Sequence, residues 1–119
     1  MITGLGGASI WSSDLNNLLP FYRDVLGLKV VIESERFVLL GQPNVPSLGL
    51  GSHSEIRGKA TDPYRHMVGL TTDDMQADAA RLKAAGAEFV EEPNQQDGLM
   101  LATIKDPEGN LIQLFQFAG

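Results

Sequence analysis

At 119 residues, with 43% hydrophobic and 20% charged side chains, the chain fits one ordinary globular domain able to bury a core without covalent staples. The absence of cysteine removes disulfides, thiolate zinc sites and thiol nucleophiles together, and is compatible with a reducing cytoplasm. The formal charge of −6 argues against nucleic acid or an anionic membrane as partner. That charge is uneven. Residues 1–60 carry five Lys/Arg and five Asp/Glu, whereas residues 61–119 carry four and ten. The first residues show no basic segment followed by an apolar run, and no apolar stretch approaches a membrane span, so a cytoplasmic protein is expected.

In chain order, residues 7–11 read as a first strand. Ser12, Ser13 and Asp14 offer helix caps. Leu15, Leu18, Leu19, Tyr22, Val25 and Leu26 then recur at helical spacing, and Gly27 is a natural stop. Pro20 cannot donate to the preceding turn, so the helix begins near it or kinks there. Residues 28–33, 36–40 and 48–52 read as three strands, with 42–46 and its two prolines as a connection. The polar stretch 54–65 reads as a linker between a first module, 1–53, and a second, 66–119.

The pattern then repeats. Residues 66–70 read as a strand, and Asp73 and Asp74 cap a helix that faces Met75, Ala79, Leu82 and Ala85 inward and ends at Gly86. Residues 87–90, 99–104 and 111–117 complete the set, with a tight turn at 106–110. Asp14 and Asp74 lie 60 apart and Gly27 and Gly86 lie 59 apart, a repeat that predicts two equivalent βαβββ units. The expected class is therefore α+β, with two βαβββ modules forming a cupped mixed sheet.

Three segments carry a family resemblance. They are Ser13, Asp14 and Leu15 with the run from Phe21 to Leu28, the run from Ala80 to Ala87, and the run from Asp106 to Leu114. In that order and spacing they resemble the vicinal oxygen chelate superfamily of glyoxalases, bleomycin-resistance proteins and dioxygenases. The resemblance implies paired βαβββ modules, often dimeric, whose cleft serves metal chemistry or drug sequestration. It also implies four metal-ligand positions. Here these fall on Gly7, Met67, Gln113 and, by analogy with Gln113, Gly49. Only Gln113 offers an oxygen, so no metal and no cofactor is expected. The four should gather on the concave face, where the glycines would widen the cleft.

Further candidates have two readings each. Trp11, sharing a face with Gly7 and Ser9, is a core or dimer aromatic, or a stacking wall for a planar ligand. His66 precedes Met67, so alternation points it to the wrong face unless a bulge rotates it back. His53 belongs to a solvated connection, or acts as a proton-transfer group at the cleft mouth. His53 and His66 are thus the candidate catalytic residues. Phe115 and Phe117 share a face with Gln113 and suggest an apolar pocket with one amide anchor. Glu91 and Glu92 read as a solvated strand end.

The function expected is metal-independent binding of an apolar or planar small molecule by a homodimer, with Trp11, Gln113, Phe115, Met67, Gly7 and Gly49 as ligand contacts. The alternative is a divalent-metal lyase, isomerase or ring-cleaving dioxygenase whose rearranged site recruits His53, His66, Glu55 or Gln113.

Overall fold

The structure, a computed structural model, describes residues 1, 3, 5–41 and 47–117. The connection expected at 42–46 lies outside the described residues. The chain forms two compact units, residues 1–58 and 59–119, dividing inside the stretch expected as a linker.

In the first unit the strands are β1 (Gly7–Ser12), β2 (Val30–Glu33), β3 (Phe37–Leu40) and β4 (Ser47–Ser52). They make one four-stranded sheet in the order β1-β4-β3-β2. β1 runs parallel to β4, and the other neighbours are antiparallel. The parallel pair is reached through a helical crossover, the connection that parallel strands require. That crossover is not a regular α-helix. It opens with a 3-10 turn, Leu15–Asn17, and closes with a π turn, Phe21–Val25. Pro20 sits immediately before the π turn, and lacking an N–H it interrupts the i−4 ladder. Leu18 and Tyr22 are nonetheless fully buried, because the tertiary core rather than backbone regularity holds this segment.

The second unit repeats the plan with β5 (Val68–Thr71), α1 (Met75–Ala84), β6 (Glu88–Gln96), β7 (Leu99–Lys105) and β8 (Leu111–Phe117). The sheet order is β5-β8-β7-β6, with β5 parallel to β8. Here the crossover is a regular α-helix. Asp74 caps it by accepting from the Ala77 N–H at 3.1 Å. Met75, Ala79 and Leu82 are buried as expected, whereas Ala85 lies exposed at the C-cap, beyond the last inward-facing turn. Gly27 and Gly86 end the two helical segments at φ +78° and +92°, a conformation that costs glycine nothing.

A shared capping device marks the repeat. In the first unit the Leu15 N–H donates to Ser52 Oγ at 2.8 Å, and in the second the Met75 N–H donates to Gln116 Oε1 at 2.7 Å. In each case a side chain from the last strand satisfies a helix N–H that has no partner within the helix.

Each sheet has a covered and an open face. In the first, Val38, Leu40, Leu48 and Leu50 are buried on the helix side. In the second, Ala102, Ile104, Ile112 and Leu114 do the same. The ladder pairs Ser9 with Gly49 and Gly69 with Gln113, so the 60-residue repeat makes Gly49 the structural counterpart of Gln113.

The largest departure from the sequence expectation is β6. It runs to Gln96, six residues beyond the expected end, and turns into β7 through Asp97 and Gly98, both with positive φ. That pair is the preferred two-residue hairpin turn.

Candidate functional site

Alternation places Gly7, Ser9 and Trp11 on the open face of the first sheet, beside Gly49 and Gly51 on β4 and Phe37 and Leu39 on β3. Trp11 is 41% exposed and so is not a core residue. Its indole lies across Gly51. A methyl there would come within 2.3 Å of Trp11 Cζ3. The Phe37 ring lies across Gly49 in the same manner, 2.6 Å from where a β-carbon would stand. The two rings meet at 5.9 Å between centroids, tilted by 37°. The glycines therefore do not leave the expected open space at Gly49. Phe37 fills it, because a side-chain-free strand lets a neighbouring aromatic fold flat onto the sheet.

His53, just past the end of β4, extends this patch. Its ring meets Trp11 edge-on at 5.8 Å. His53 Nδ1 accepts from the Glu55 N–H at 3.0 Å. An imidazole with an accepting Nδ1 carries its proton on Nε2, so this ring presents a donor at the rim of the patch.

The second unit's open face carries Gln113 and Phe115 on β8, Thr103 and Leu101 on β7, and Gly69 on β5. Phe115 lies across Gly69, its Cε2 2.8 Å from the place of a β-carbon. Phe115 and Phe117 stack at 6.2 Å with 20° between planes. Met67, two residues before Gly69, is exposed just ahead of β5, as is His66 beside it.

Glu91 was expected at a solvated strand end but faces this site. Strand alternation would place it with Phe89, on the helix side. A bulge between Phe89 and Glu91 inserts one residue into β6, so Phe89 pairs with Ile104 while Glu91 pairs with Thr103. The bulge turns the carboxylate onto the open face, a use to which bulges are commonly put. Thr103 Oγ1 donates to Glu91 Oε1 at 3.4 Å, and Gln96 Nε2 donates to Oε2 at 3.2 Å. Glu92, by contrast, is exposed and pairs with Lys83. Phe37, Thr103 and Glu91 are the site residues that sequence reading missed. For Glu91 the available signal was the Asp97-Gly98 turn, which demands a β6 long enough to pair back along β7.

The family's metal positions can be tested by their donors. Gly7 and Gly49 bring none. A β-carbon at Gly7 would stand 2.6 Å from the Ser47 carbonyl oxygen, so no side chain fits without a backbone shift. Met67 offers a thioether, a soft donor, and Gln113 a neutral amide. This set does not fit a hard divalent ion, which takes charged oxygen ligands or imidazole. Among the described residues no group of three or more His, Asp or Glu side chains is placed to hold one.

The model of the Glyoxalase/Bleomycin resistance protein/Dioxygenase superfamily matches residues 4–114. The chain belongs to that superfamily. A solved superfamily member from Sphaerobacter thermophilus is 25% identical, covering 98% of both chains at a TM-score of 0.78. A virulence protein of Salmonella typhimurium is also 25% identical, covering 99% of both chains at a TM-score of 0.76. TnmS3, an antibiotic-binding protein from a Streptomyces species, shares the fold at 24% identity, 98% coverage of both chains and a TM-score of 0.77. None of the curated proteins compared with the chain matches it. Among the described residues, no helix is long and apolar enough to cross a membrane.

Proposed function

We propose that this superfamily member binds an apolar, planar small molecule on its open sheet faces and does so without a metal. The observation that carries the reading is the fate of the strand glycines. Where a metal-dependent relative needs a ligand side chain, Gly49 carries the Phe37 ring, and Gly51 beside it carries Trp11. A half-exposed indole and a benzene ring lying flat on a sheet, with the His53 N–H at their edge, form a stacking surface with one polar anchor. Phe115 on Gly69, beside the Gln113 amide, gives the second unit a smaller version.

The fold admits this task without prescribing it. TnmS3 is an antibiotic-binding protein, while a solved structure with the same fold from Burkholderia phytofirmans is described as a family enzyme. The choice rests on residues, and the residues supply rings rather than metal donors. The ligand contacts proposed are Trp11 and Gly7 on the first unit's open face and Gln113, Phe115 and Met67 on the second's, with Phe37 taking the place of Gly49, which its ring covers. A cytoplasmic homodimer completes the reading, and sedimentation showing a single 12.9 kDa species at working concentration would count against the dimer.

Trp11 is the sole tryptophan, so its emission reports binding directly. Titration with acridine, a neutral three-ring heterocycle, should quench it saturably and equally with or without a chelator. Trp11→Ala, followed by calorimetry, should weaken acridine by about 1–3 kcal/mol, the scale of a lost aromatic anchor. Binding that required added zinc, nickel, iron or manganese would overturn the proposal.

A further inference from the structure

The acids of β6 divide into two kinds. Glu88 pairs with Lys105 at 3.3 Å, and Glu92 pairs with Lys83. Both are exposed, and both project where a lysine can reach them. Glu91 lies between them and is more buried, yet among the described residues no Lys, Arg or His stands within ion-pair distance of it. Its partners are the Thr103 hydroxyl and the Gln96 amide, both neutral and both at long distances. Its placement arises from a specific device, the bulge that turns Glu91 away from the helix side.

The surroundings extend from that charge. Glu91, Thr103 and Gln113 form one row across the sheet, because Glu91 pairs with Thr103 and Thr103 with Gln113. The next row holds Asn94, Leu101 and Phe115. Two inter-strand spacings, about 10 Å, separate the strand of Glu91 from that of Phe115, with half-buried Leu101 as an apolar floor between. A fused three-ring system spans that distance. We infer that this face is a site for a planar cation, its rings over Leu101 and against Phe115 and its positive group beside Glu91. The site rests on the binding reading above but adds a charge requirement to it. Glu91 is then the residue that decides between a cationic ligand and its neutral isostere. A charge pair formed beneath a bound ring system is shielded from water on one side and is stronger than one between exposed groups.

The test compares proflavine, a planar three-ring cation at neutral pH, with acridine, its neutral parent ring, by calorimetry on the full chain. Wild type should prefer proflavine at least tenfold, and that preference should shrink as salt is raised. Glu91→Gln keeps size and hydrogen bonding while removing the charge. It should abolish the preference by weakening proflavine at least tenfold and acridine less than twofold. Glu88→Gln, where Lys105 already neutralises the acid, should leave both affinities unchanged. An unaltered urea midpoint and Trp11 emission will show that each variant folds. If acridine binds but Glu91→Gln leaves proflavine unchanged, or weakens both ligands alike, the charge role is overturned while the binding reading stands. A loss of proflavine in Glu88→Gln equal to that in Glu91→Gln overturns it too, since general acidity would then be responsible. If neither compound binds wild type, both readings fail.

Discussion

Replacing Gly51 by alanine isolates the contact on which the aromatic patch depends. The added methyl would stand 2.3 Å from Trp11 Cζ3, 2.7 Å from Cε3 and 3.2 Å from the Arg36 carbonyl oxygen. Carbon atoms pack at about 3.5–4 Å, so the indole must move by more than 1 Å. The backbone oxygen is fixed by the sheet, but the indole is 41% exposed and has solvent into which it can swing. The full penalty of overpacking a closed core is therefore avoided. What is lost is the seat on the strand and the ring contacts with Phe37 and His53, each worth about 0.5–1.5 kcal/mol. Gly51→Ala should destabilise the fold by about 1–2 kcal/mol, shift the emission of the lone tryptophan to the red, and weaken acridine roughly 5- to 30-fold. Urea unfolding, emission spectra and calorimetry read these separately. Gly27→Ala is the control. It has φ +78° and nothing within 4 Å of the added methyl, so only backbone strain of about 1–2 kcal/mol enters. Emission and binding should then stay as in wild type. If Gly51→Ala leaves both emission and affinity unchanged, or if Gly27→Ala reproduces their loss, the ring-on-glycine reasoning is wrong.

Two further outcomes bear on the scaffold. Leu50→Ala empties a fully buried position on the covered face of the first sheet and should cost about 2–5 kcal/mol in urea unfolding, the range for cavity-forming leucine truncations. A loss below about 1 kcal/mol would mean that this face is not a packed core. Asp74→Ala removes the side chain that accepts from the Ala77 N–H and should cost about 1 kcal/mol, with amide exchange rising first at the start of α1.

Much of the scaffold was legible in the chain because it depends on local rules. Helix caps at Asp14 and Asp74, glycine stops at Gly27 and Gly86, and apolar periodicity each act over a few residues, and their recurrence 60 apart exposed the duplicated βαβββ plan. The same local logic located Trp11, Gln113 and Phe115 on strand faces, since side chains alternate regardless of what lies opposite. It also put Gly7, Gly49 and Met67, none of them an oxygen donor, at positions where the resemblance implies metal ligands, which is a matter of residue identity alone. Pro20 signalled a disturbed first helix, but whether the chain would restart or kink depended on packing, and burial of Leu18 and Tyr22 decided for 3-10 and π turns.

Only the tertiary structure could decide what fills the space above a glycine and where a bulge falls. Phe37 reaches Gly49, Trp11 reaches Gly51 and Phe115 reaches Gly69 from neighbouring strands, partners distant in sequence that only ladder register brings together. Glu91 is the sharper case. Nothing adjacent to it in the chain reveals the two inserted residues in β6, because the bulges arise from pairing with β7, fixed by the Asp97-Gly98 turn at one end and by Phe89 packing toward the helix side at the other. Seven steps separate Phe89 from Gln96 but only five separate Leu99 from Ile104, so β6 bulges on both sides of Glu91, and a carboxylate that alternation from Phe89 assigns to the covered side faces the open one.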